Sequence, residues 1–159
     1  MKLELEKITR DNYDIAKSIM RDDIPAEFVG GVDELIDNME YGLKHKMKGS
    51  GFYVRADDKY VGYLMIGEAI PWPTDPPELE GRDFYRLMYF VIDKSYRHQG
   101  IGGGALEMAI EDTFREYGER PLSLGCHKEN RLAEMFYEKH GFRKTEYMEG
   151  GDYYMLRGI

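Results

Sequence analysis

The chain has 159 residues, 42% of them hydrophobic and 33% charged, with a formal net charge of -8. That is the size of one ordinary domain, which buries about 70% of the surface exposed by its unfolded chain. The acidic balance disfavours nonspecific nucleic-acid binding, which needs several phosphate-neutralising cations, and it attracts cationic partners instead. No apolar run approaches the ~20 residues of a bilayer span. Residues 1–10 alternate charge with Leu3, Leu5 and Ile8 and lack the apolar centre of a signal peptide, so a soluble, cytoplasmic protein with no membrane contact is expected. The one cysteine, Cys126, cannot form an internal disulfide, and His45, His98, His127 and His140 show no metal-ligand spacing, so no metal is assigned.

Residues 3–8 alternate and read as a strand, after which Thr9 and Asp11 are N-cap candidates for a helix over residues 12–20. Residues 21–31, with Pro25, Gly30 and Gly31, read as a loop. Val32, Leu35, Ile36, Met39, Leu43 and Met47 then fall on one helical stripe that Gly49 and Gly51 end. Residues 52–56 and 60–66 are rich in β-branched and aromatic residues and flank Asp57-Asp58-Lys59, which predicts a hairpin. Four of the six prolines crowd into residues 69–83, a loop carrying Trp72, Asp75, Glu78, Glu80 and Asp83. Residues 84–92 form a nearly continuous apolar strand of the kind covered on both faces.

The next segment, Arg97-His98-Gln99-Gly100-Ile101-Gly102-Gly103-Gly104, leads into a helical stretch at residues 105–117. It reads as a loop built to hold a pyrophosphate: glycines admit an anion close to backbone N–H groups, and the positive end of the helix completes the site. Glycine in a helix costs about 1 kcal/mol relative to alanine, so three in the first turn require a compensating use. Lys94 and Arg97 are basic, and no acid follows Asp93 until Glu107. Residues 122–126 alternate as a strand and close a βαβ unit. Asn130 caps a helix with Leu132, Met135 and Phe136 on its inward side, Gly141 ends it, and residues 142–148 and 152–156 make a final hairpin through Glu149-Gly150-Gly151.

The element order β-α-α-β-β-β-α-β-α-β-β carries two motifs. One is Arg97-x-x-Gly100-x-Gly102 after a strand; the other is Asn130-x-x-Ala133-x-x-Phe136-Tyr137-x-x-x-Gly141-Phe142. Together, in this order and at this spacing, they resemble the GNAT superfamily of N-acetyltransferases over essentially the whole chain. The segment from Phe90 to Tyr96 is similar to bacterial polyamine (spermine/spermidine) acetyltransferases. The resemblance implies one α/β (α+β) domain over residues 1–159, with a mixed, mostly antiparallel, splayed sheet of about seven strands flanked by about four helices. It also implies acetyl-CoA as co-substrate, with the amides of Gln99, Gly100, Ile101, Gly102 and Gly103, beside Arg97 and His98, holding the pyrophosphate. Phe90, Val91 and Ile92 would pair with the pantetheine arm, and the strands at residues 84–92 and 122–126 would part to admit the thioester. Asn130 and Tyr137 are two helical turns apart and point the same way, which makes Asn130 a candidate cofactor ligand as well as an N-cap.

Acetyl transfer to an amine needs a proton acceptor, a donor to the thioester oxyanion, and a proton for the departing thiolate. Tyr137 is the candidate for the last role, since a phenol of pKa ~10 can lend a proton to a thiolate whose acid titrates near ~8.5. The oxyanion donor would be a backbone N–H near Val91 or Ile92. Glu68, at the end of a strand, is the candidate general base, with His127 as the alternative. Cys126 reads as a core residue, which favours direct attack in a ternary complex. Asp22, Asp23, Asp75, Glu78, Glu80 and Asp83 could hold a cationic acceptor whose body lies against Trp72, Tyr85 and Tyr89.

Two rival readings remain at this point. Gly100-x-Gly102-x-x-Ala105 also fits a dinucleotide-binding oxidoreductase, but the following strand, Leu122-Ser-Leu-Gly-Cys126, lacks the acid that would hold the ribose. A non-catalytic acyl-CoA sensor would share the loop without the chemistry. The acceptor could be a small molecule or a peptide, and exposed sheet edges or the final hairpin could support a homodimer.

Overall fold

A computed structural model describes residues 1–159. Its centre is a seven-stranded sheet in the order β1-β2-β3-β4-β5-β7-β6. The strands are β1 (Leu3–Lys7), β2 (Gly49–Ala56), β3 (Lys59–Glu68), β4 (Tyr85–Ile92), β5 (Leu122–His127), β6 (Arg143–Glu149) and β7 (Asp152–Arg157). All neighbours are antiparallel except β4 and β5. Two tight turns fix the hairpin registers. Asp57 and Asp58 both take positive φ between β2 and β3, and Gly150 at φ 58° turns β6 into β7.

Helix α2 (Ile101–Tyr117) covers one face of the sheet through Ile101, Ala105, Leu106, Ala109 and Ile110, all buried. The two alanines, wholly inaccessible, let the helix approach the strands closely. The opposite face of β2 and β3 carries α1 (Val32–Lys44) and a 3-10 helix at Arg10–Ser18, packed around Tyr53, Tyr63, Leu35 and Val91. The first predicted helix is therefore 3-10. Its inward residues Tyr13, Ala16 and Ile19 recur every third position, which lines up on one face at three residues per turn. Helix α1 ends at Lys44, so Met47 lies outside it, and Gly49 and Gly51 belong to β2 rather than terminating the helix.

Helix α3 (Arg131–Lys139) lies on the α2 side and sets Ala133, Phe136 and Tyr137 against the main core. The expected inward side was wrong for two residues: Leu132 and Met135 are 75% and 65% exposed. The stripe that packs runs through residues 133, 136 and 137, set by contact with the core, while Asn130, accepting from the N–H of Ala133 at 3.3 Å, fixes where the helix starts.

β4 and β5 pair only at Tyr85 with Leu122 and Arg86 with Ser123. Beyond those two pairs the strands separate, so the second half of β4 faces an open wedge on the side where β5 would have continued the ladder.

Candidate active site

The wedge opens into a cavity of roughly 950 Å³ lined by residues from β4, β5, α3, the loop before α2, the loop at residues 21–31 and the final hairpin. One wall is the outer half of β4. There the ladder pairs Tyr63 with Val91 but Met65 with Met88, so Leu64 opposes both Tyr89 and Phe90, and Tyr89 has φ 56°. This is a β-bulge, which bends the strand and releases backbone groups from the ladder. A tyrosine at positive φ is strained backbone, held here by its surroundings. Asn38 donates to the Tyr89 hydroxyl, whose pKa is raised by burial and then by the charge of Glu34.

The mouth of the wedge is the start of α2. Gly100, at φ 78°, is an N-cap with no side-chain hydrogen bond, and Gly102 and Gly103 line the cavity with it. The N–H of Gly104 is the first in the helix to find a carbonyl, that of Gly100 at 3.3 Å, so the amides before it are left for a ligand. Close packing explains two of the glycines as well. A Cβ on Gly103 would sit 3.0 Å from the His140 ring, and one on Gly104 would be 2.7 Å from Leu3. His98, at φ 63°, and Arg97 also line the cavity. The Arg97 Nε donates to the carbonyl of Ile92 at 2.9 Å and its guanidinium pairs with Asp23, which holds that carboxyl below the usual range. Arg97 thereby ties the helix-start loop to the loop at residues 21–31. Asp93 does the same from beneath, accepting from the N–H groups of Met20 and Ser95 at 2.9 Å each.

The other predicted cofactor residues divide. Phe90, Val91, Ile92 and Asn130 line the cavity. Ile101 is 1% exposed, with its side chain in the core, so only its backbone can serve a ligand. Gln99 is exposed and lies outside the cavity lining.

Tyr137 lines the cavity between Phe136 and Phe142, with ring centroids at 5.3 and 5.7 Å. Burial, and secondarily the neighbouring Cys126, raise its pKa above the ordinary phenol value, so it is protonated at neutral pH. Cys126 is a buried free thiol raised to about 11, mainly by burial, and is therefore no nucleophile near pH 7.

Glu68 is elsewhere. Its carboxylate accepts from the N–H of Lys48 at 2.9 Å, lies 3.7 Å from Arg120 and borders a different cavity. Several acceptor-loop expectations also fail. Tyr85 is fully buried on the α2 face and donates to the carbonyl of Gly118 at 2.6 Å. Asp75 is paired with Arg86 at 3.0 Å in a buried bridge, Asp22 lies 3.5 Å from Lys94, and Glu78 pairs with Arg143. Glu80 and Asp83 are exposed outside the lining. The acids that do border the wedge, besides Asp23, are Glu34, Glu149 and Asp152. None was identifiable from the sequence, because each sits on an element with no chemical motif of its own. Asp152 has its pKa raised by burial first and by Glu149, against the opposing effect of His127. The His127 ring stacks on Phe28 at 4.9 Å, and its Nδ1 accepts from the N–H of Glu129 at 3.2 Å, which puts the proton of the neutral ring on Nε2.

Residues 13–142 match the acetyltransferase (GNAT) family, well over half of the chain. The chain belongs to the GNAT family of acetyltransferases. No curated protein sequence is similar to it. Similar solved structures include the PaiA N-acetyltransferase of Thermoplasma acidophilum in complex with coenzyme A, with TM-score 0.71, 18% identity and complete coverage of both chains. Another is a GNAT family acetyltransferase of Elizabethkingia anophelis with acetyl-CoA bound, at TM-score 0.62 and 16% identity, covering 99% of this chain and 98% of that one. A third is a GNAT family acetyltransferase of Staphylococcus aureus, at TM-score 0.63, 18% identity and 98% coverage of each chain. These likenesses establish the GNAT fold, and the expected sheet, splay and helix placement of this acetyltransferase are as the resemblance implied. The GNAT chain has no helix long and apolar enough to cross a membrane.

Proposed function

We propose that this acetyltransferase moves the acetyl group of acetyl-CoA to the primary amine of a cationic acceptor by direct attack in a ternary complex. The observation that carries the reading is the wedge between β4 and β5, with a bulged strand on one side and uncapped helix amides at its mouth. The pyrophosphate would lie on the amides of Gly100 to Gly103 with Arg97 beside it, a favourable place for an anion. The pantetheine arm would run along Phe90, Val91 and Ile92 and take up the backbone pairing that β5 leaves open. Asn130 would border the arm while capping α3. The two neighbours solved with coenzyme A or acetyl-CoA support this placement.

The amine nitrogen forms its bond to the acetyl carbonyl carbon, and the negative charge that develops on the carbonyl oxygen is met by an N–H at the Tyr89–Phe90 bulge. The tetrahedral intermediate then collapses with cleavage of the carbon–sulfur bond. Tyr137 donates a hydrogen bond to the departing thiolate. Of the two protons the ammonium nitrogen must lose, one passes before attack to Asp152, directly or through water, in place of the Glu68 first considered, and the second leaves the nitrogen of the tetrahedral intermediate through water for the departing thiolate, giving the neutral amide and the free thiol. Asp152 lines the wedge and Glu68 does not, a carboxyl of raised pKa is the stronger base, and the Nδ1 lone pair of His127 is already engaged. Glu34, Glu149 and Asp152 supply the negative field that a cationic amine requires. Polyamines belong to that class, and the likeness of the Phe90 to Tyr96 segment supports testing them beside monoamines and peptide N-termini.

Thiol release from acetyl-CoA over such an amine panel tests the proposal, with calorimetry of CoA and acetyl-CoA binding alongside. Release that depends on the amine is expected. Tight acetyl-CoA binding with no release on any amine would assign the protein to the sensor class, and no heat with either molecule would remove the CoA reading.

A further inference from the structure

A second cavity, of roughly 480 Å³, lies between α1 and the sheet face formed by β3 and the first half of β4. Trp72 and Met88 line both this cavity and the larger wedge. Met88 directly precedes Tyr89, the bulge residue, so the shared wall begins about one strand step, roughly 3.3 Å, from the backbone assigned to the reacting carbonyl. The shared lining residues thus set the second cavity beside the place where the amine must sit.

Half of its lining residues are hydrophobic, among them Met39, Met47, Met65 and Met88, with Leu43 and Ile70. Met65 and Met88 are cross-strand partners and both line the cavity. Methionine is flexible and polarizable, and surfaces rich in it accept alkyl and aryl groups of varied shape. Four large side chains at this rim are left open to solvent, Leu43 at 52%, Tyr41 and Ile70 at 46% each and Trp72 at 44%.

The charges in the lining select further. They are Lys46, Lys48, Arg86 and a single acid, Glu68. Glu68 already accepts from the backbone of Lys48 and faces Arg120. Arg86 is 5% exposed, donates to the carbonyl of Ile70 at 2.8 Å and lies 3.7 Å beneath the Trp72 ring, with Asp75 as its counter-ion. A second ammonium entering this cavity would meet two lysines, an arginine already neutralised by Asp75, and one committed carboxylate. The acids free to receive a cation stand in the wedge instead, at Glu34, Glu149 and Asp152.

We propose that the acceptor is a primary monoamine with an uncharged alkyl or arylalkyl body, the body lying among the methionines and the amine reaching past Trp72 and Met88 into the wedge. This rests on the acetyl-transfer reading of the wedge and narrows its acceptor class, against a polyamine.

The test compares ethylamine, butylamine, hexylamine and 4-phenylbutylamine with putrescine, cadaverine and spermidine as acceptors. Because each buried methylene is worth about 0.8 kcal/mol, kcat/KM should rise up to about fourfold per added methylene until the cavity is filled. The diamines and spermidine should show no such gain. Met65→Gln should lower kcat/KM for hexylamine by about tenfold and for ethylamine by much less. Trp72 is the only tryptophan, so its fluorescence gives a readout independent of turnover: hexylamine should shift the emission saturably, spermidine should not, and Met65→Gln should weaken the response. Thiol release that ignores chain length, a preference for spermidine, or emission unmoved by hexylamine would overturn the acceptor assignment while leaving transfer intact. Absence of release on every amine, with the emission shift present, would instead overturn the transfer reading and leave the ligand assigned to the cavity.

Discussion

Two side chains separate chemistry from architecture. Tyr137 sits between Phe136 and Phe142 with a hydroxyl whose pKa burial has raised. It is therefore a hydrogen-bond donor to the thiolate and not a source of full proton transfer. Tyr137→Phe keeps the ring contacts, so it should lower kcat by about a hundredfold, in the range of a lost hydrogen bond to charge that develops in the transition state, while steady-state binding of acetyl-CoA changes less than about twofold. Equal kcat in mutant and parent would remove Tyr137 from the reaction. Asp152 carries the opposite sign of usefulness, since its carboxylate is the active form. Burial raises its pKa above the ordinary carboxyl value, so kcat/KM should be lost as pH falls through that raised pKa. Asp152→Asn should abolish this acid limb along with most of the rate. Folding favours the neutral carboxyl of a group whose pKa is raised, a stabilisation lost as pH rises through the folded pKa. The amide should therefore fold at neutral pH with an equal or higher Tm, which distinguishes lost catalysis from lost structure. An acid limb that persists in Asp152→Asn would place the base elsewhere.

At the scale of the element, α2 trades helix stability for an open N-terminus. Gly102 has room for a methyl: a Cβ would be 3.6 Å from Phe136 and 3.7 Å from Ile92, ordinary contacts. Gly102→Ala should stabilise the fold by up to about 1 kcal/mol through helix propensity. The same methyl enters the space assigned to the pyrophosphate, and calorimetry should show acetyl-CoA binding weakened by about an order of magnitude. A variant that is both more stable and equally tight would mean that the ligand does not approach these amides. Gly103 offers no such separation, because its Cβ would press on His140 at 3.0 Å. The bulge in β4 is the second element-scale device. Nothing in Leu87-Met-Tyr-Phe-Val91 announces it, since positive φ is rare for tyrosine and arises only from the register that β3 and α1 impose.

Across the whole molecule, charge is the property most directly testable. The net charge of -8 and the acids bordering the wedge should draw a cationic acceptor toward the cleft. Raising ionic strength toward 1 M shortens the screening length to about 3 Å, so kcat/KM for the amine should fall several-fold. Stopped-assay kinetics at matched pH check this, and an amine constant indifferent to salt would show that the field plays no part in capture. Arg97 and Asp93 belong to this scale as well. They bind the helix-start loop to residues 20–23, so the mouth of the wedge and the loop beside it are one connected structure.

The sequence alone determined the element order, the helix-start loop and the helix from Asn130 to Gly141, because local rules govern each: hydrophobic period, turn chemistry, capping and glycine. It also carried the family resemblance, which lives in short contiguous motifs. What only the tertiary structure decided is which distant residues share a wall. Glu68 left the site, while Glu34, Glu149 and Asp152 entered it. Tyr85 turned to the far face, and Leu132 and Met135 turned outward. Each of these outcomes depends on sheet register, strand splay and helix rotation, and those are set by packing between segments far apart in the chain, which no local pattern encodes.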